Sequence, residues 1–409
     1  MVLKGLLCCA LAVLSLGYLV KGYRNLILTP GDLHRRWTEC RFVLHGQDPF
    51  QIFLHQYHAP DAAKNEAECD RLRRIYGTPE EPVYPPWAYA PAMLFVWAPW
   101  QMDVYYYLLI DTACIAILVT CALVIARPAT QVDKVAVALA TLAIASICTT
   151  LGNGNFGLIV TAAVLLSVFF DQRDRPFAGG IFFWIAMVKP TVSLPFALVF
   201  LLQNRWKSMI VAAGLCAVSC LFPWIVDRVN PLEMMHEAVV VSQHFQGGGY
   251  GIVNWLPMLG VPDHHVTSLA AALTLIPAAI FFFFNPSLPV WKNLAILAVV
   301  GRFWAYHMAH DNIMLFFLAC AVWRIFLKEM SLASTAVLLL VGASLWLPSS
   351  FTELGDVPLS RRWIHHTIGI VQHVIWLAGA GYVWRSVPSQ GMVPNGPTVV
   401  CEAASDGAV

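Results

Sequence analysis

Long apolar runs separated by short polar connectors set the pattern of this chain. Runs fall at 2–20, 104–126, 135–151, 156–171, 208–226, 267–285, 288–301, 312–327, 331–347 and 365–384. They are continuous, whereas the strands of a closed barrel alternate polar and apolar positions. A bilayer crossing takes about 20 apolar residues, and a helix satisfies its own backbone in lipid. The pattern predicts an all-α, polytopic transmembrane bundle of about 10–13 membrane helices, short re-entrant ones included. Two stretches depart from it. Residues 177–203 are apolar but interrupted by Lys189-Pro190, and 87–101 is Pro-flanked and short for a span.

Short basic connectors orient the set, since Lys and Arg collect on the cytoplasmic side. They occur at Arg127/Lys134, Arg173/Arg175, Arg205/Lys207, Lys292, Arg324/Lys328 and Arg385. The long loop 22–103, the turn 152–155, the loop 227–266, the turn 302–311 and the loop 348–364 then lie outside. Under this arrangement 177–203 enters and leaves on the cytoplasmic side, as two half-helices meeting at Lys189-Pro190. Such breaks are tolerated where they line protein or a cavity. Residues 87–101 are then re-entrant or interfacial; a true span there reverses the sidedness of 102–155. The first run reads as an uncleaved anchor. Residues 1–384 read as one membrane domain and 385–409, rich in Ser, Pro and Gly, as a disordered cytoplasmic tail.

Composition agrees. The 409 residues are 58% hydrophobic and 12% charged, where soluble domains carry roughly 25% charge. A soluble domain, a disordered chain and a disulfide mini-protein are excluded. A net charge of +1 says nothing of nucleic acid, and no nucleic-acid partner is expected. Most cysteines lie in apolar runs as small hydrophobes. Cys40 and Cys69 share the first outside loop, where a disulfide and two thiols are both open readings. No CxxC or HExxH spacing occurs, so no metal site and no cofactor is expected.

With so few charges, their positions matter. After the first run comes Gly31-Asp32-Leu33-His34-Arg35-Arg36-Trp37-Thr38-Glu39-Cys40-Arg41, its charges at helical spacing. This reads as an interfacial helix, its arginines turned to lipid headgroups or to a bound phosphate. Tyr84-Pro85-Pro86-Trp87 is a rigid entry to the next apolar stretch. Gly152-Asn153-Gly154-Asn155-Phe156 reads as a tight turn whose two amides suit sugar or phosphate oxygens. Lys189 stands inside an apolar stretch, and an intramembrane charge is a functional signal by default. Its partner is either an anionic ligand or a carboxylate such as Asp32 or Asp311. In 302–312, His307 and Asp311 are four apart, as on one helix face, with Tyr306 and His310 on the next. Arg302, His307, His310 and Asp311 fit phosphate or sugar binding better than metal. The Gly-rich stretch 243–255 reads as a lid or sugar-binding surface. The pairs His264-His265 and His365-His366 are weak metal signals.

These motifs together resemble glycosyltransferase family 87, of the GT-C superfamily. An Asp stands ahead of a Gly-x-Asp-Pro-aromatic, here Asp32 before Gly46-Gln47-Asp48-Pro49-Phe50. Tyr84-Pro85-Pro86 matches a Tyr-Pro-Pro. Gly152-Asn153-Gly154-Asn155 matches Gly-Gln-x-Asn, with Asn in place of Gln. Lys189-Pro190 followed by Arg205-Trp206-Lys207 matches a Lys-Pro and a basic turn. The resemblance covers roughly residues 1–210; the rest matches in hydropathy and in an aromatic–His cluster near 304–311.

The resemblance implies transfer of a hexose, mannose by expectation, from a polyprenyl-phosphate-sugar to a lipid or glycan acceptor. The implied setting is the outer face of a bacterial inner membrane, with membrane lipids as further partners. It implies single displacement with inversion, Asp32 as general base and Glu39 next in line. Lys189 and Arg302, then His307, His310 and Arg36, would stabilise the departing phosphate. Tyr84, Asn153, Asn155 and Asp311 complete the expected substrate-binding set. Two other readings remain: a transporter or flippase using Lys189 in its broken helix, and a non-catalytic assembly component.

Overall fold

The structure is a computed structural model, and it describes residues 2–58, 66–227, 230–243, 251–348 and 359–386. Among these, every regular element is helical. The helices are α1 (Val2–Leu28), α2 (Gly31–Leu44), α3 (Pro49–His58), α4 (Glu66–Tyr76), α5 (Trp100–Ala126), α6 (Gln131–Leu142) and α7 (Ala145–Asn153). They continue as α8 (Gly157–Gln172), α9 (Pro176–Ala186), α10 (Pro190–Leu202), α11 (Trp206–Asp227) and α12 (Pro231–Gln243). Then come α13 (Asp263–Phe284), α14 (Val290–Trp304), α15 (Phe316–Glu329), α16 (Leu332–Trp346) and α17 (Leu359–Arg385).

Among the described residues, six helical segments are long and apolar enough to cross a membrane, or seven if α6 and α7, bent by 47°, form one broken span. Four shorter apolar helices, α8, α9, α10 and α16, complete the expected complement. Burial sorts them. Almost every side chain of α8 is enclosed, and α15 is buried over most of its length. The outer helices α1, α11, α13 and α17 turn Leu16, Ile225, Phe283 and Val374 outward, as lipid-facing helices must.

The first span differs from the sequence reading. It runs to Leu28 rather than ending near residue 20. Lys21 and Arg24 are polar but do not break a helix; Pro30, which lacks an N–H, does. Asp32 stands in the first turn of α2, the helix expected over this segment. Residues 87–101 make only two short helical turns, Pro86–Ala88 and Tyr89–Ala92, before α5 begins. This strap is pinned by side chains: Trp37 donates to the Ala98 carbonyl at 2.9 Å, and Trp87 to the Met187 carbonyl at 3.0 Å.

The Gly-x-Asp-Pro-aromatic motif is a helix start. Gly46 takes φ +73°, Asp48 Oδ1 accepts from the Phe50 N–H at 2.8 Å, and Pro49 opens α3. An Asp cap followed by Pro is a preferred N-terminus. Cys40 and Cys69 form no disulfide with each other; the Cys69 thiol donates to Gln47 at 3.1 Å.

Helices α9 and α10 are the two halves of the interrupted stretch. Arg205, just past α10, pairs with Asp171 at the end of α8 (3.4 Å). The pair therefore opens and closes at one end of the bundle and carries Lys189 to the other. Arg127, Arg173, Lys292 and Arg324 gather at the first end, at the termini of α5, α8, α14 and α15. Close packing of α9 on α11 depends on Gly180, where an added Cβ would lie 2.5 Å from the Val211 Cβ and 2.8 Å from the Ser208 carbonyl. Gly180→Val is expected to cost about 2–3 kcal/mol, as overpacking against backbone does. Thermal unfolding of the purified variant in detergent measures it.

Candidate active site at one end of the bundle

The end opposite the basic connectors holds a cavity of ≈ 210 Å³. Asp32, Arg36, Tyr84, Asn155, Lys189, His310 and Asp311 line it, drawn from widely separated parts of the chain. Each arrives there for a local reason.

Asp32 lies in the first turn of α2, where a helix N-terminus favours an anion. Asn155 follows Gly154, which ends α7 with φ +65°. A Cβ on Gly154 would stand 2.5 Å from the Leu33 Cβ. Glycine alone lets this turn press against α2 and bring Asn155 beneath Asp32. Lys189 precedes Pro190, whose ring cannot continue α9 but opens α10. Asp311 sits in a 3-10 turn, Ala309–Leu315, after the chain turns extended at Ala305 and Met308.

Asn155 is the hub. Its Nδ2 donates to Asp32 Oδ2 at 2.9 Å and lies 3.2 Å from His310 Nε2. Its Oδ1 accepts from Lys189 at 3.2 Å and from the Gly157 N–H at 3.0 Å. Lys189 also forms a close ion pair with Asp311. Asp311 Oδ2 accepts from the Met308 N–H at 3.1 Å and lies 3.4 Å from His307 Nδ1. Lys189 and Asp311 are thus a buried, hydrogen-bonded pair, whereas Asp32 keeps one oxygen outside its bond to Asn155.

Arg36 forms the second cationic wall. It donates to Glu39 at 2.7 Å, and its guanidinium lies 4.6 Å from the centre of the Tyr84 ring. Burial pushes the Tyr84 phenol well above its ordinary range, so it stays protonated and able to donate.

Four of the residues singled out from the sequence do not line the cavity. Glu39 is fully buried against Arg36. Asn153 ends α7 on the exposed surface. Arg302 braces the 305–312 turn, donating to Asn312 at 2.6 Å and to the His307 carbonyl at 3.3 Å. His307 lies behind Asp311, its Nε2 2.7 Å from the Gly301 carbonyl. Other lining residues lie outside the expected site set: Arg35 and Tyr306, which the sequence marks by their helical spacing, and Glu81 and Thr191, which it does not. Thr191 carried another signal, being two residues past Lys189 in the opening turn of α10. Glu81 carried none. Gly247–Gly249, in the Gly-rich stretch, lie outside the described residues. Among the described residues, no group of three His, Cys, Asp or Glu is arranged to hold a metal ion.

The arrangement puts an accessible carboxylate beside two cations and several neutral donors. It can take a proton from a bound hydroxyl and stabilise an anion within the same cavity.

The model of glycosyltransferase family 87 matches residues 83–350. No curated protein and no solved structure matches the chain. The matched stretch contains Tyr84, Asn155, Lys189, His310 and Asp311, while Asp32 and Arg36 precede it. A helical membrane bundle and a match over most of the chain lead to one conclusion: this protein belongs to glycosyltransferase family 87, the polytopic membrane glycosyltransferases of GT-C type.

Proposed function

We propose that this protein transfers a hexose, mannose by family expectation, from a polyprenyl-phosphate-sugar to a hydroxyl of a lipid or glycan acceptor on the extracytoplasmic face. The observation that carries this reading is Asp32 sharing one cavity with Lys189 and Arg36. The acceptor oxygen attacks the anomeric carbon as Asp32 takes its proton. The bond from that carbon to the phosphate oxygen breaks on the opposite side, inverting the centre. Polyprenyl phosphate leaves with growing negative charge, which Lys189 and Arg36 offset. Asn155 and His310 orient the base and the sugar. The cavity wall also includes Thr267 on α13, whose outer face is apolar and exposed, so a lipid-borne donor has a lateral approach.

The test is incubation of purified protein with polyprenyl-phosphate sugars and candidate acceptors, with products read by mass spectrometry. A glycosylated product of inverted configuration is the expected result. Movement of the lipid-linked sugar across vesicles with no covalent product would overturn it in favour of a flippase built on the α9–α10 break.

A further inference from the structure

A second cavity, of ≈ 400 Å³, lies at the other end of the bundle. Its walls are the last turns of α5 and α8 and the first of α14, with Ala116, Thr120, Leu166 and Trp291 among the lining residues. The volume is in the range of ligand sites. The lining is almost wholly apolar. Ala116 and Thr120 are exposed on the outer face of a spanning helix, so the cleft opens sideways into the bilayer.

Its end is basic. Two guanidiniums rest on rings beside it. Arg173 sits 4.0 Å from the centre of Phe169, and Arg324 sits 4.9 Å from that of Trp291; both rings line the cleft. Arg324 also donates to the Ile125 carbonyl at 3.1 Å, which fixes it at the end of α5, next to Arg127. An apolar slot open to lipid, ending in arginines at headgroup level, complements a molecule with a hydrocarbon chain below and a phosphate above.

We propose that this cleft holds one acyl chain of an anionic phospholipid from the leaflet opposite the candidate active site, with the lipid phosphate against Arg173 and Arg324. A cleft that ends in cations selects by headgroup charge, whereas an ordinary lipid-facing groove selects only by chain.

Native mass spectrometry of the detergent-purified full chain tests this, titrated with palmitoyl-oleoyl phosphatidylglycerol or phosphatidylcholine. One phosphatidylglycerol is expected to bind at least tenfold more tightly than phosphatidylcholine. Arg173→Gln with Arg324→Gln is expected to erase that preference. Ala116→Phe fills the cleft from an exposed position and is expected to weaken phosphatidylglycerol tenfold with unchanged thermal unfolding. Arg173→Gln alone, on an exposed residue, is expected to reduce the preference at least threefold and serves if the double variant fails to fold. Equal binding of the two lipids by the unmodified chain would overturn the proposal. So would a preference that survives the charge variants, or binding indifferent to Ala116→Phe.

Discussion

Asp32→Asn is expected to abolish sugar transfer while leaving the thermal unfolding temperature within a degree or two. The amide is the same size as the carboxylate, and its oxygen can still accept from Asn155 Nδ2, now at 2.9 Å from Asp32 Oδ2. What it cannot do is take a proton. A positioned general base is worth about 10²–10⁴ in rate, and the loss should fall at the upper end because no other lining carboxylate is equally placed. Asp311 is held by Lys189, the Met308 N–H and His307, and Glu81 faces Arg35 at 3.4 Å. Transfer by the purified variant is measured beside its unfolding curve. Activity within tenfold of the unmodified enzyme would remove Asp32 from the role of base.

Lys189→Met is expected to damage both stability and activity, and a second change separates the two. Removing one partner of a buried ion pair costs about 3–5 kcal/mol, because the other charge is stranded. Here the stranded group is Asp311, only 2% exposed. Adding Asp311→Asn removes that charge and should restore most of the lost stability. It should not restore transfer. Loss of a cation aimed at a departing phosphate costs about 10²–10³ in kcat, and the double variant still lacks it. Recovery of both stability and kcat would make Lys189 a counter-ion of Asp311 and nothing more.

Much of this was legible along the chain, and the exceptions have physical causes. The Lys189-Pro190 break was readable because both signals are local: a proline cannot continue a helix, and a charge does not sit idle in lipid. The order of Asp32, the Gly-Asn turn and Lys189 was readable, but not that Gly154 fits them together, since that depends on Leu33 more than a hundred positions away. The apolar run ends near residue 20, but the helix does not: Lys21 and Arg24 continue α1 to Leu28, and Pro30 follows its end. In 302–312, helical spacing put His307 with Asp311 on one face and His310 with Tyr306 on the next. The chain is extended at Ala305 and Met308 and then turns as a 3-10 helix, so a period of 3.6 does not apply. His310 reaches the cavity and His307 does not. Glu39 reads as the carboxylate next in line to Asp32, but it stands three residues from Arg36 on α2, and that spacing makes it the arginine's buried partner.

Asn155 has a consequence for how charge is stored at this end of the molecule. Its amide touches a carboxylate with its NH2 and an ammonium with its oxygen. A half-turn of the amide would set donor against donor and acceptor against acceptor, so its orientation is fixed. A neutral but polarised group thus separates Asp32 from Lys189, and the two cannot collapse onto each other and cancel. Asn155→Asp would put a second negative charge in that gap and draw the lysine away from Asp311. The amide acts as an insulator, keeping a carboxylate and an ammonium charged side by side, the state that the proposed transfer requires.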